Sequence, residues 1–268
     1  MRVADVSFLS RQSNSKTFKQ KAMNILVPVR KVPDTTAKIA FTPDGKSFDA
    51  NGVQFVMNPT DEWYALVRAV ELKESIGGKI TLINVGGADN DQIIRKGLAI
   101  GGDDAVRIDG DDRDAHFCAK AISAYAKANS FDLIITGKEA IDDNGFQLAA
   151  MIAEYMDWPF ISQATRLDID GDVCHLSREI EGGHEDIEVS KPLVVSASKG
   201  MAEQRIPNMR GIMMARSKPL NVIQAEDSSV ASEVAKYALP PEKGDVKLID
   251  ADNIDELITL LKNEAKAI

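Results

Sequence analysis

What this chain lacks narrows it first. Its 268 residues hold two cysteines, Cys118 and Cys174, far apart, with no CxxC and no histidine pair beside them. That excludes a disulfide framework and a structural zinc site of the usual spacing, and it favours a reducing compartment. The three histidines, His116, His175 and His184, are scattered and read as surface residues rather than ligands or bases. No apolar stretch approaches the roughly 18 residues of a membrane span, so the chain is not expected to be membrane-embedded. The phosphate-binding fingerprints GxGxxG and GxxxxGKS/T are missing, as are GxSxG and HExxH. Their absence disfavours the usual dinucleotide, P-loop, hydrolase and zinc-protease classes. No SGGxDS-like pyrophosphate loop occurs either, which removes an ATP-cleaving ligase.

Positive charge is scarce and unevenly placed. Residues 1–22 carry Arg2, Arg11, Lys16, Lys19 and Lys21 against Asp5 alone, a sum of +4, so with −9 for the whole chain the remainder stands at −13. A body this acidic is a poor nucleic-acid binder. The leader "MRVADVSFLSRQSNSKTFKQKA" has no apolar core and is not a secretory signal. Basic, Ser-containing and acid-poor, it bears a faint likeness to an organelle presequence. The simpler reading is a dispensable, disordered extension, because Met23 opens the first clear strand. The simpler reading places the protein in a bacterial cytoplasm, the presequence reading in the mitochondrial matrix.

What is present is a regular alternation. "NILVPV" (24–29) reads as a buried strand ending at Arg30 and Lys31, and "KIAFTPDGKSFD" as a hairpin turning on Pro43-Asp44-Gly45. "MNPTDEWYALVRAVELKESIGG" reads as a helix with Asn58 as its cap, Pro59 in its first turn and Asp61 and Glu62 at the positive end of its dipole. Trp63, Leu66, Val67 and Val70 follow at helical spacing, and Gly77-Gly78 stops it. Strands at 79–85, 105–108 and 131–137 come next, each followed by a helix: "DNDQIIRKGLAIGG", "AHFCAKAISAYAKANS" and "FQLAAMIAEYM". Such alternation predicts a doubly wound α/β domain with a mostly parallel sheet.

After Trp158-Pro159 the texture changes. "RLDIDGDVCHLSREIEGGHEDIEVSKPLVVSA" predicts short strands in antiparallel pairing, with Gly-Asp and Gly-Gly turns. Near the end come an amphipathic segment around "SEVAKYA", a Pro-Pro break and a helix, "NIDELITLLKNEAKAI", with Ile254, Leu257, Leu260 and Leu261 on its apolar face. On the residues alone this tail packs either on its own body or on another subunit.

Two stretches carry chemistry. The first is "GKEAIDDNGFQ" (137–147), behind the apolar "DLIIT", at the corner where ligands bind in open α/β sheets. Three strand ends, Pro28-Val29-Arg30, Val85-Gly86-Gly87 and Gly137-Lys138, are expected to meet at one sheet edge near the helix opening at Asn58. Free N–H groups at a helix start bind anions, and Gly86 and Gly87 would let a planar base or phosphate approach. An adenine nucleotide fits that set, and simple helix capping by Asp142 and Asp143 is the competing reading. The second stretch, "KGMAEQRIPNMRGIMMARSK" (199–218), holds Met201, Met209, Met213 and Met214 together with Lys199, Arg205, Arg210, Arg216 and Lys218, against Glu203 alone. Flexible, polarizable methionines suit a surface that accepts several partners, and a basic ring on an acidic body steers acidic ones. The competing reading is a core-packing loop with solvated charges.

Taken in order, "LVPVRKVPD", "MNPTDEWYAL", "GKEAIDDNGFQ", "DWPFISQAT" and "REIEGGHEDIEVSKPLVVSA" resemble the beta subunit of electron transfer flavoprotein from about Met23 to Lys218. The resemblance implies a non-catalytic electron carrier, one half of an alpha–beta heterodimer. It also implies AMP bound by the beta subunit and a redox-active FAD shared with, and mostly held by, the alpha subunit. Its partners would be the alpha subunit, acyl-CoA and related dehydrogenases as donors, and a membrane quinone oxidoreductase as acceptor. Carried over by position, the AMP site comprises Pro28, Asn58, Pro59, Thr60, Asp61, Val85, Gly137, Lys138, Glu139, Ala140, Ile141, Asp142, Asp143, Asn144, Gly145, Phe146, Gln147 and Leu148. The phosphate would be wrapped by backbone amides while the Asp pair shapes the turn.

The 199–218 loop falls on the family's recognition loop, with Met209 at the anchor position where Leu is usual, Met213 beside it, and Arg205 on a family arginine whose neighbourhood approaches the flavin. The implied organisation is an extension (1–22), a nucleotide-binding α/β domain (23–225) that includes the loop, and an arm (226–268) packing on the partner subunit. "KVPDT" is the form often seen in a bifurcating branch that carries a second FAD, whereas "AIDDN" and "DWPFISQAT" are closer to the AMP branch. At Met214 and Ser217 the family usually has lysines, which weakens the positive field on that side of the loop. The alternatives are the second-FAD branch and a stand-alone adenine-nucleotide-binding regulatory module.

Overall fold

A computed structural model describes residues 22–268 apart from 113, 227, 228 and 243. The leader, residues 1–21 of the extension expected over 1–22, lies outside the described residues. The chain separates into two compact units, one of residues up to 38 with 50–234 and a second of residues 39–49 with 235–268.

The first unit is built on a nine-stranded sheet. Its parallel strands are β1 (Met23–Pro28), β4 (Gly78–Val85), β5 (Asp104–Asp109), β6 (Leu133–Gly137), β10 (Leu193–Ala197) and β11 (Leu220–Gln224). They are continued by β7 (Phe160–Asp170), β8 (Val173–Ile180) and β9 (Gly183–Ser190), and the spatial order is β11-β5-β4-β1-β6-β10-β7-β8-β9. Pairing is parallel from β11 to β7 and antiparallel across β7-β8-β9. A separate antiparallel pair joins β2 (Lys31–Pro33) to β3 (Phe55–Met57).

Fully buried runs such as Leu26-Val27, Leu82-Ile83 and Leu133-Ile134-Ile135 form the middle strands because apolar side chains on both faces need cover on both faces. The pleat sends neighbours to opposite layers. Ile25, Val27, Leu133 and Ile135 pack with α1 (Asp61–Ile76) and α2 (Asp91–Ile100), whereas Leu26, Ile134 and Val194 pack with α3 (Ala115–Ala128) and α4 (Leu148–Met156).

The doubly wound prediction therefore holds, with two corrections. "PLVVSA" is a central parallel strand inserted between β6 and β7, whereas the rest of that stretch, β7, β8 and β9, pairs in the antiparallel manner expected. The edge strand β11 was not anticipated. It pairs with β5 along its length.

The second unit contains the predicted turn, closed by a bridge between Phe41 and Phe48. Phe41 stacks on Tyr237 with ring centroids 5.0 Å apart, and the Tyr237 N–H donates to the Gly45 carbonyl at 2.7 Å. The segment around "SEVAKYA" forms neither helix nor strand, and the terminal helix α6 spans Ile254–Asn263, capped by Asn253.

Candidate functional site

Chain order and sheet order diverge at β1. From there the chain moves outward through β4 and β5, then returns to β6 on the other side, which makes the C-terminal ends of β4, β1 and β6 the switch point where clefts open. A cleft open to solvent lies there. It is lined by Pro28, Val29 and Arg30 at the end of β1, Asn84 and Val85 of β4, Thr136 to Ala140 at the end of β6, and Asp143 with Gly145 to Leu148 leading into α4. The opposite wall comes from the β5–α3 side: Asp112, Ala115, Cys118 and Ile122.

Most of the positions predicted for the nucleotide meet in this cleft. Pro28, Val85, Gly137, Lys138, Glu139, Ala140, Asp143, Gly145, Phe146, Gln147 and Leu148 line it. Asn58, Pro59, Thr60, Asp61, Ile141, Asp142 and Asn144 do not line it, although Asn58 bonds to the turn and Asp142 pairs with Arg30. Gly86 does not face the cleft: a Cβ there would meet the Asn90 side chain at 2.0 Å, so its backbone makes room for Asn90, whose Nδ2 donates to Asn84 at 3.0 Å.

Asn58 is corrected as a helix cap. Helix α1 begins at Asp61, with Thr60 in the capping position at φ 66° and no side-chain cap. Fully buried, Asn58 instead spends its amide on the turn after β6, donating to the Glu139 carbonyl at 2.8 Å and accepting from the Ile141 N–H at 3.1 Å. A buried amide must be matched atom for atom, and the turn backbone supplies both partners.

Charge inside the cleft is tightly paired. The Arg30 guanidinium meets Asp143 at 2.5 Å and Asp142 at 3.2 Å, and Lys138 meets Glu139 at 2.8 Å. Burial opposes the Arg30 charge, but Asp142 and the hydrogen bond to Asp143 outweigh it and raise its affinity for the proton above the ordinary value. The Arg30 Nε is buried without an acceptor.

Beneath it lies Glu62, an acid whose place in the sequence suggests no more than a partner for the helix dipole. It is 6% exposed, and its Oε2 accepts the Arg30 backbone N–H at 2.7 Å. Burial pushes its carboxyl up to about 8, against the pull of that hydrogen bond and the Arg30 charge. Gly137 allows β6 to run this close to α1, since a Cβ there would stand 2.7 Å from the Glu62 nitrogen. Asp112 is raised by burial as well, with Arg30 pulling the other way. Glu62 and Asp112 escaped the sequence reading because nothing local marks an acid as buried. With its cations already paired, the cleft offers an anion the N–H groups at the start of α4, whose cap residue Gln147 makes no side-chain bond to them, and those N–H groups of the 138–147 turn not already given to Ala197, Asn58, Ala140 and Asp143.

The 199–218 stretch divides. Met201 is core, while Met209 (74% exposed), Met213 (68%) and Met214 stand out from α5 (Met209–Ala215) beside Ile206 (88%). The pedestal under them is rigid. Asn208 caps α5 by accepting from the Gly211 N–H at 2.8 Å, and Arg95 donates to the Ala215 and Lys218 carbonyls at 2.8 and 2.6 Å. A Cβ on Gly211 would meet the Ala99 carbonyl oxygen at 2.5 Å. The basic ring is smaller than expected. Arg205 turns back to Glu74 at 2.8 Å, and the Lys218 ammonium donates to the Leu98 carbonyl at 2.8 Å. Lys199, Arg210 and Arg216 remain exposed.

Among the described residues no group of acids, histidines and cysteines is arranged to hold a metal, and no helix is long and apolar enough to cross a membrane. Residues 46–228 match the model of the electron transfer flavoprotein domain. The chain is 38% identical over 260 residues to the electron transfer flavoprotein subunit beta of Bacillus subtilis, covering 92% of this chain and all of that protein. It is 34% identical to the subunit of the same name from Thermoanaerobacterium thermosaccharolyticum (78% and 81% covered) and 31% identical to that of Sus scrofa (90% and 97%).

Proposed function

The chain belongs to the electron transfer flavoprotein family, as a beta subunit, and from that premise we propose that it carries electrons as one half of an alpha–beta heterodimer. In this reading it holds AMP in the β1–β4–β6 cleft and completes the pocket of an FAD bound mainly by the alpha subunit. It docks acyl-CoA and related dehydrogenases through Met209, with Met213 and Arg205 beside it, and delivers to a membrane quinone oxidoreductase. The flavin, when bound, supplies reversible electron uptake. This chain makes and breaks no bond; it positions, shields and docks.

The observation that carries the nucleotide half is the cleft's chemistry. The cleft opens at the switch point of the sheet, where open α/β folds take small ligands. Ile83, Val85, Ile122 and Leu148 offer apolar walls for a base, and the 138–147 turn and the start of α4 offer N–H groups to a phosphate while Arg30 and Lys138 are engaged elsewhere. For docking, the support is an exposed Met cluster on a stapled helix. For the arm over 226–268, it is the exposed apolar row Ile254, Leu257 and Ile258, which the alpha subunit would cover.

Co-expression with an alpha subunit tests the whole reading. A yellow heterodimer releasing FAD and AMP on denaturation is expected, and a colourless pair or a flavin-free homodimer overturns it. A second FAD in place of AMP would assign the chain to the bifurcating branch. Met209→Ala should slow reduction by a dehydrogenase about tenfold, the order of one interface anchor, with flavin content unchanged. Loss of flavin in that variant would make the loop structural instead.

A further inference from the structure

The turn that closes the cleft is held in two halves, and the second half has an anchor of its own. Its inner half, through Ile141, is tied down by Asn58. Its outer half runs through Asn144 (φ 47°) and Phe146 (φ 56°), two non-glycine residues in the left-handed region, which is uncommon and needs outside support. The ion pairs from Arg30 to Asp142 and Asp143 reach into that half.

Arg30 is a stiff post. Its N–H is held by Glu62, its carbonyl accepts the Asn58 N–H at 2.9 Å, and it stands two residues past the end of the central strand β1. Lys138 cannot replace it, because its ammonium is committed to Glu139. The buried Arg30 Nε still lacks an acceptor, and an anionic group in the cleft would complete its hydrogen bonding.

We propose that Arg30 is the latch of the cleft: it fastens the 142–147 half of the turn over a bound nucleoside monophosphate and sets how slowly that ligand leaves. This rests on the nucleotide reading above and adds a role for Arg30, Asp142 and Asp143 as a unit. The guanidinium is a planar fork that meets two carboxylates at once, whereas a lysine ammonium engages as a single point. The pairs are partly exposed, with Asp143 at 43%, so salt loosens them.

The test is the release of isotope-labelled AMP from the purified heterodimer, chased with excess unlabelled AMP at low and high salt. Arg30→Gln is expected to speed release about tenfold to a hundredfold, the scale of hydrogen bonds to a charged group. The double variant Asp142→Asn/Asp143→Asn should do the same, and adding Arg30→Gln to it should change little more. Arg30→Lys should fall between, and the quickening of release by salt should be largest in the wild type, smaller in Arg30→Lys and absent from the variants that lack the ion pairs.

If Arg30→Gln fails to fold, the double Asn variant, which leaves Arg30 in place, carries the test. Wild-type release rates in either variant, or fully additive effects, overturn the latch. A wild-type heterodimer that holds no AMP sinks the nucleotide reading, and this inference with it.

Discussion

Glu62 shows how much of the site lies in single side chains that no sequence motif marks. In "PTDEWY" it looks like any acid in a first helical turn, yet it sits under the cleft with its carboxyl pushed up to about 8 from an ordinary 4.5. The folded protein therefore keeps a proton that the unfolded chain gives up between those values. Where the native state binds more protons than the unfolded state, stability falls as pH rises, so this group removes stability progressively from about pH 4.5 to 8 and no further above that. Asp61, Asp112 and Asp142 are raised by burial too, and they contribute a slope of the same sign. Glu62→Gln keeps an acceptor for the Arg30 N–H and deletes the titration. Its melting temperature should drop less than the wild type's between pH 5 and 8, leaving it a few °C higher at pH 8, with each kcal/mol worth about 2–4 °C in a chain of this size. Scanning calorimetry at several pH values decides it, and parallel curves for the two proteins would mean that Glu62 is ionised in the fold.

At the scale of elements, what the sequence displays is what periodicity can encode. Apolar runs marked β1, β4, β5 and β6, and the helices between them appear close to their predicted bounds. Sheet order is not periodic information. "LVVSA" is buried throughout, a pattern that parallel and antiparallel neighbours both satisfy, and its place between β6 and β7 is fixed by pairing with residues some sixty positions earlier. "LNVIQ" hides for the opposite reason: half-exposed at the sheet edge, it shows little apolar signal. The terminal helix was legible because its apolar side chains recur at helical spacing, yet Ile254, Leu257 and Ile258 stay exposed on α6. Covering such a row is worth about 25 cal/mol per Å² of apolar surface removed from water. On the reading that the alpha subunit provides the cover, Leu257→Asp with Ile258→Asp should weaken heterodimer association by about a hundredfold or more while leaving the sheet unit folded. Analytical ultracentrifugation against the alpha subunit measures it, and unchanged affinity would place the arm elsewhere.

Over the whole molecule the deciding quantity is where charge of each sign ends up. The sequence shows an acidic chain with a basic 199–218 segment, but it cannot show that Arg205 and Lys218 are spent on the protein's own Glu74 and backbone carbonyls. What stays exposed in that segment is Lys199, Arg210 and Arg216 against Glu203, a small positive excess on a body of opposite sign. Rim charges act mainly on encounter. They steer an acidic partner over distances comparable to the Debye length, about 8–10 Å near physiological salt, and contribute little once the apolar anchor is seated. Arg210→Ala with Arg216→Ala should therefore slow dehydrogenase-driven flavin reduction several-fold in stopped-flow mixing at low ionic strength. The deficit should shrink toward nothing as salt is raised, and the saturating rate should not change. Met209→Ala should behave in the opposite way, with a deficit that persists at high salt because dispersion and burial are not screened. If the two variants share one salt dependence, the separation between a steering rim and an apolar anchor is wrong, and the loop works as a single electrostatic patch.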